Sequence, residues 1–434
     1  MKDIRALLPA ALLLLSAGAL AQNTITVDAS FMTRGEIRRG ALPAGTKDGE
    51  DGVGPDFANF SVERTMLGFD YTGEGLEVRL TAQHSGTWGS KEGGSFNVYE
   101  AWTQLSTKPG FFVKVGRQNI SYDDQRIFGS DNWSMTGMSH DALKAGYEGH
   151  GHKIHLLGAY NQNPENMNGG SYFTGGLQPY KAMEAAWYHY DIPKTNIGVS
   201  LLFMNAGMQG GEKGLDEKTY QQQIYGTYIS FTPKKWNVEA AYYRQGGYDE
   251  TSLPIDAWMA SLKVTYNHSD KLTLYSGFDY LSGDSYFATP AEGQVGMVRH
   301  DKIRGFSSIY GSHHKFYGAM DFFYVTAYYR GFTPGLENAF AGITWKPWKK
   351  FTTDLSYHYL TTATQLENTR KALGYEFEFS ASYAVHKDAK LSIGCSYMRG
   401  TETMVILKRT SGNRQLQWGW VMLSVTPRLF SNGK

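Results

Sequence analysis

Basic side chains spaced two residues apart among apolar ones are the feature of this sequence that could do chemistry. Arg79 stands in such a run: Leu76, Val78, Leu80 and Ala82 alternate with Glu77, Arg79, Thr81 and Gln83. Arg64, Lys144 and Lys263 occupy equivalent places in other runs. Successive side chains of a strand point to opposite faces, so these cations share a face with polar residues. Arg34, Arg38 and Arg39 lie where the first run enters a polar segment. Charges are tolerated at membrane depth when they face water, and a ring of Arg and Lys around a water-filled passage attracts anions. The competing reading is that these cations pair with Glu77, Glu100, Glu376 and Glu378 and brace a wall. Arg117 departs from the pattern, because parity with Val113 and Val115 puts it on the apolar face. Either a bulge after Gly116 shifts the register there, or Arg117 lies beyond the apolar band.

Other chemistry is sparse. No G-x-S-x-G, H-E-x-x-H or nucleotide-binding glycine loop is present, and no cofactor is expected. His313-His314 and the His150/His152 pair lack the further ligands of a metal site, so turn or surface histidines are expected there, with no metal. Asp48-Gly49-Glu50-Asp51-Gly52 resembles the start of a calcium loop but lacks the later bidentate Glu. A lipase-type centre on a barrel wall would need Ser and His on one face, and Ser139-His140, the nearest candidate, are adjacent and diverge. Cys395 is the single cysteine and reads as small filler.

The alternating runs are what must position these groups. Trp258, Ala260, Leu262, Val264 and Tyr266 form one apolar face, and Leu373, Tyr375, Phe377, Phe379 and Ala381 another. Eight short turns punctuate the runs, at residues 72–75, 107–110, 149–152, 191–194, 232–235, 268–270, 346–349 and 386–389. Nine longer polar segments alternate with them, about 34–58, 84–95, 117–139, 161–180, 206–219, 246–255, 282–335, 360–371 and 399–415. Seventeen connections give eighteen strands, with 318–332 the one place where the count can shift. Short turns on one rim and long loops on the other predict an all-β fold, a transmembrane antiparallel up-and-down barrel. Phe231, Trp236, Trp345, Trp348 and Phe351 beside turns suit a water–lipid boundary. A soluble sandwich shares the periodicity but not the strand length or the even rhythm. The last strand reaches Phe430, four residues short of the C-terminus.

The composition agrees. The 434 residues include 29 Tyr, 23 Phe, 10 Trp and 50 Gly, yet mean hydropathy is −0.41, which excludes a bundle of membrane helices. Met1–Ala21 has a basic start, an apolar core and an Ala-Leu-Ala end, the pattern of a secretory signal cleaved after Ala21. Residues 22–434 then form one barrel domain. Loss of Lys2, Asp3 and Arg5 leaves the mature chain formally neutral, without the basic field that nucleic-acid binding requires.

Val115-Gly116-Arg117-Gln118 followed by Asp123-Asp124-Gln125-Arg126-Ile127-Phe128-Gly129 resembles the signature of the alginate-export family of outer-membrane porins, as do Glu100-Ala101-Trp102, Trp133, His140-Asp141-Ala142 and Gly158-Ala159-Tyr160-Asn161. His314-Lys315-Phe316-Tyr317-Gly318-Ala319-Met320-Asp321 and Gly335-Leu336-Glu337-Asn338 look like later family blocks. The resemblance implies an eighteen-stranded barrel of the outer membrane with an Arg-rich constriction for anionic sugars. It assigns Arg117 and Arg126 to the pore, with Gly116, Gln118, Asp124 and Gln125 as motif residues. The expected function is a porin passing anionic solutes, acidic oligo- or polysaccharide, by passive diffusion. Its partners would be outer-membrane lipid and the anion itself, with any periplasmic export partner unidentified. The alternatives are a non-selective porin, or a barrel whose loops 117–139 and 282–335 plug the pore as a binding site.

Overall fold

The computed structural model describes residues 23–40, 57–107, 110–161, 178–211, 217–284, 302–323, 333–365, 369–408 and 414–433. The expected signal segment and the acidic run 48–52 lie outside these residues.

Eighteen spanning strands follow one another antiparallel, from β1 (Thr24–Arg39) and β2 (Phe57–Gly73) to β18 (Gln415–Val425). β1 pairs with β2 on one side and β18 on the other, so the sheet closes. A short β19 (Arg428–Ser431) continues the last strand past Pro427 and also pairs with β1. Closure removes the open edges whose unpaired N–H and C=O groups hydrocarbon cannot satisfy. All eight expected turns connect consecutive strands. At one of them His150 and Gly151 both take positive φ, 54° and 82°, as a two-residue hairpin loop requires.

The outer wall is apolar. Leu67, Leu80, Val113, Leu143, Leu262, Phe377 and Val421 are each about half exposed, and Phe231, Trp236, Trp345 and Trp348 are exposed beside turns. Cys395 is exposed on this face too.

The core lies inside the barrel. Residues 119–139, between β5 (Phe111–Gln118) and β6 (His140–Gly149), fold inward, and so do residues 302–323. Ile120, Ile127 and Phe128 pack with Phe306, Tyr310, Tyr317, Phe322 and Phe323, and against wall residues such as Met183, Met204, Tyr243 and Met259. A parallel bridge joins Phe128 to Tyr310. Residues 318–323 lie in this inward segment and are not strand. A short helix, α1 (Glu402–Lys408), follows β17 (Ala389–Gly400) and buries Thr403, Met404 and Leu407.

Candidate functional site: the lumen

The acidic part of the 117–129 run forms a compact turn on the inner wall. Asp123 and Gln125 have φ of 52° and 70°, and the Gln125 N–H donates to the Tyr122 carbonyl at 2.8 Å. Asp124 accepts from both the backbone N–H and Nε of Arg126. The Ser312 hydroxyl donates to Gln125 Oε1 at 2.9 Å and the Ser312 N–H to the Gln125 carbonyl at 2.9 Å, stitching the two inward segments together.

Arg126 is at the centre of this contact and is 4% exposed. It meets Asp124 at 3.1 Å and, on β13 (Leu272–Leu281), Asp279 at 3.0 Å. It also donates to Tyr317 Oη at 2.8 Å and to Ser261 Oγ on β12 (Ala257–Ser269) at 3.0 Å, beneath the Phe316 ring. Burial opposes its charge, but Tyr317, Asp279 and Asp124 outweigh that and hold the guanidinium pKa well above its ordinary value. Arg126 therefore clamps both inward segments to the wall.

Other arginines expected on the pore face also make structural contacts. Arg34 pairs with Glu36 at 2.8 Å, donates to the Trp133 carbonyl at 2.9 Å and covers the Trp133 ring at 3.9 Å. Arg64 donates to the Ser134 carbonyl at 3.3 Å. Arg79, on β3 (Leu76–Thr87), sits among Asp28, Asp70 and Glu100. The bracing carboxylates are thus mostly others than the four considered from sequence. Glu376 and Glu378, on β16 (Ala372–His386), instead accept from the backbone N–H groups of Met320 and Ala319, docking the second inward segment. Gly318 there has φ +97°, and a Cβ would strike the Glu376 carboxylate.

Arg117 stays on the outer face. Its neighbours pair in unbroken register, Val115 with Leu143, Arg117 with Asp141 and Gln118 with His140. The bulge lies instead on β4 (Ser95–Thr107), where the pairing with β3 steps from Thr81–Glu100 to Ala82–Val98. Arg117 forms a two-pronged pair with Asp141, both bonds 2.8 Å, and donates to the Val98 carbonyl. The pore position that the resemblance implies for Arg117 does not fit this placement. Gly116, at φ +119°, is packed so closely on the Ala101 carbonyl that no side chain fits. Gln118 points inward and donates to the Ala142 carbonyl at 2.9 Å. Arg117→Ala is expected to leave ion selectivity unchanged, because the side chain is outside the passage. The unfolding temperature should fall, since Asp141 loses its partner. A changed reversal potential in planar bilayers would contradict this placement.

The lysines differ from the arginines. Lys144 stands directly across the β5–β6 ladder from Lys114. Lys114 Nζ lies 3.4 Å over the Trp102 ring, and Lys144 Nζ lies 5.8 Å from the centre of Phe112. Lys263 on β12 faces a cavity of about 460 Å³ that Arg126, Lys315, Glu239, Asp354 and Glu378 also line. Sequence reasoning missed Lys114, Lys315, Asp279 and Tyr317 as lumen groups. Lys114 was open to the same parity argument, since it alternates with Val113 and Val115. Lys315 and Tyr317 belong to the 314–321 block, whose inward fold no local pattern announces.

His140 is fully buried between Phe128, Tyr180 and Tyr310, with Nδ1 2.8 Å from Tyr180 Oη. It therefore packs inside the barrel, away from lipid. His152 contacts Tyr188 Oη, and His314 contacts Asp321 and stacks on Trp133. Among the described residues no cluster of three or more His, Cys, Asp or Glu is arranged to hold a metal.

The fold is shared with solved porins. Pseudomonas aeruginosa OpdF superposes with a TM-score of 0.62 at 12% identity, over 94% of this chain and 98% of that one. The same channel in complex with glucuronate gives 0.61 at 13% identity, over 94% and 97%. A BenF-like porin from Pseudomonas fluorescens Pf-5 gives 0.60 at 12% identity, over 93% and 99%. No curated protein matches by sequence. The family model for alginate export matches residues 91–403, a span that includes the 116–129 motif, both inward segments and the cavity-lining strands up to β17. The architecture is that of an outer-membrane channel for small solutes, without enzymatic activity, and the chain belongs to the alginate-export family.

Proposed function

We propose that this protein resides in the outer membrane and passes small carboxylate-bearing sugars, uronates and short acidic oligosaccharides, by passive diffusion. The observation that carries this reading is the state of the groups facing the cavity that Lys263 lines. Its carboxylates are each already held by donors of the wall or of the inward segments. Asp124 and Asp279 are bonded to Arg126, and Glu239 accepts from Tyr228 Oη. Asp354 accepts from Tyr275 and Thr344, and Glu378 from Ser356. Lys263 Nζ has no hydrogen-bond or ion-pair partner among the described residues. Lys315 donates one bond, to the Asp124 carbonyl at 2.8 Å. Ammonium groups carry three donors each, so Lys263 and Lys315 keep donors for an incoming anion, while each carboxylate is already drawn to the donors named. Selectivity then rests on which groups are free, because the summed charge of the lining is not positive.

The cavity volume falls within the roughly 300–1,000 Å³ of small-molecule sites, which favours short solutes over a long polymer. OpdF, which shares this fold at 13% identity, is described in complex with glucuronate, and a sugar-acid solute is in keeping with that. Liposome swelling tests the reading. Glucuronate and its dimers should enter quickly and long alginate chains should not; equal exclusion of glucuronate would overturn it.

A pH dependence follows from Lys315. Burial lowers its pKa below the usual lysine range, with Asp124 opposing the shift. A lysine is a cation below its pKa and neutral above, so anion preference should decline as pH rises through this lowered value. Lys315→Arg should keep the preference at alkaline pH. A flat wild-type profile in reversal-potential measurements would exclude Lys315 as a contributor.

A further inference from the structure

A second cavity, of about 380 Å³, adjoins the first, sharing Asp354 and Glu378 with it, and its chemistry is different. Its wall is a patch of small hydroxyls from three neighbouring strands: Thr352 on β15 (Phe351–Thr361), Ser380 and Ser382 on β16, and Ser392 and Ser396 on β17. The hydroxyls of Thr352, Ser380, Ser382 and Ser392 make no hydrogen bond to another described residue. Beside them lies Trp420 of β18. Gly394 is its direct partner in the ladder, and a Cβ on Gly394 would collide with the indole, so the ring lies flat across the sheet. Trp133 meets it edge-on, ring centres 5.1 Å apart at 72°. Both faces of Trp133 are occupied, by Arg34 at 3.9 Å and His314 at 4.0 Å. Trp133 is thereby the fixed brace; Gly394 lies beneath one face of Trp420, the edge of Trp133 meets the ring, and the remaining indole surface lines the cavity.

We propose that this cavity, which Lys390 also lines, is a subsite for an uncharged pyranose ring, separate from the cavity that Lys263 and Lys315 line and independent of the anion reading. A pyranose has a C–H face and a rim of hydroxyls that both donate and accept. An indole face suits the first, since aromatic rings supply large apolar area with defined geometry. Ser and Thr hydroxyls suit the second, since each donates once and accepts twice. Asp354 and Glu378 add strong acceptors at the border with the larger cavity. A solute bearing a carboxylate and a sugar ring can engage both cavities, whereas a neutral sugar engages this one alone.

The test uses the full purified barrel in planar bilayers with maltotriose, a neutral probe, added at increasing concentration. Maltotriose should block the ion current, and Trp420→Ala should raise the half-blocking concentration by about tenfold or more. Trp420→Phe should retain most of the block. The half-blocking concentration should not change as the KCl concentration is raised, because added salt screens the anion-binding charges and not the contacts of a neutral sugar, which separates this subsite from the anion-binding groups. If Trp420→Ala fails to give the folded, heat-shifted band on gels, Thr352→Val and Ser382→Val provide the same readout from the opposite wall. Absence of block in the wild type, or the same block in all these variants, would overturn the proposal.

Discussion

Arg126→Met should turn a narrowed lumen into a wider and noisier one, with larger and more variable single-channel conductance. Arg126 is the group through which the wall residues Ser261 and Asp279 hold Asp124 and Tyr317. Met keeps volume and apolar contact with Phe316 but removes the charge. Asp279 would then be a buried carboxylate without its counter-ion; Asn338 still donates to its other oxygen at 2.9 Å. Breaking one side of a buried pair costs about 3–5 kcal/mol. At about 3 kcal/mol the ratio of docked to undocked loop falls on the order of 100-fold. The barrel itself should persist, because its ladders run through β1 and β18 without Arg126. Limited proteolysis checks this directly: residues 119–139 and 302–323 should become cleavable while the barrel core remains protected. Unchanged conductance together with unchanged protection would mean that hydrophobic packing around Phe128, Tyr310 and Phe323 docks the loops alone.

Lys263→Glu with Lys315→Glu should reverse the preference for anions. Each replacement changes the local charge by two units. At about 8 Å and the dielectric constant of water, one unit acts on a permeating ion with about 0.5 kcal/mol. Four units therefore come to about 2 kcal/mol on each ion, of opposite sign for chloride and potassium, hence on the order of 1,000-fold in their relative permeability, which salt reduces as the Debye length shortens toward about 10 Å at 0.1 M. The effect should be largest in dilute electrolyte. Both side chains lie at the lumen, so folding should be little affected. Relative permeabilities of chloride and potassium, measured for the pair and each single variant, decide the matter; an anion preference that survives the double replacement would move the selective groups elsewhere, to Lys114 and Lys144 first.

The barrel was legible in the sequence because its determinants are local. Each hairpin turn carries its own chemistry, as in His150-Gly151, and period-two alternation separates Leu80 from Arg79 without knowledge of the partner strand. Parity left Arg117 open between the apolar face and an inward turn past a bulge at Gly116, and the β5–β6 ladder runs through Arg117 without a shift. The pore position came from the family motif, which records that an Arg occurs there and not which face it takes. The lumen was less legible because it is assembled over long distances. Arg126 is held by Asp279, 153 positions later, and by Tyr317, 191 positions later. No periodicity signals that two loops fold inward and share a core. Counting inward cations likewise could not show that Arg34 and Arg79 are ion-paired while Lys263 has no ion pair among the described residues. Trp420 illustrates the remaining gap: it reads as one more strand aromatic, and only its flat contact over Gly394 and the surrounding hydroxyls distinguish it.

In a chain of near-zero net charge, Lys263 and Lys315 keep donors free for a permeating anion. The most direct measurement is the zero-current potential of the wild-type channel across a planar bilayer separating dilute from tenfold more concentrated KCl at neutral pH. The potential should have the sign that marks chloride as the more permeant ion. A potential marking potassium as more permeant would contradict it.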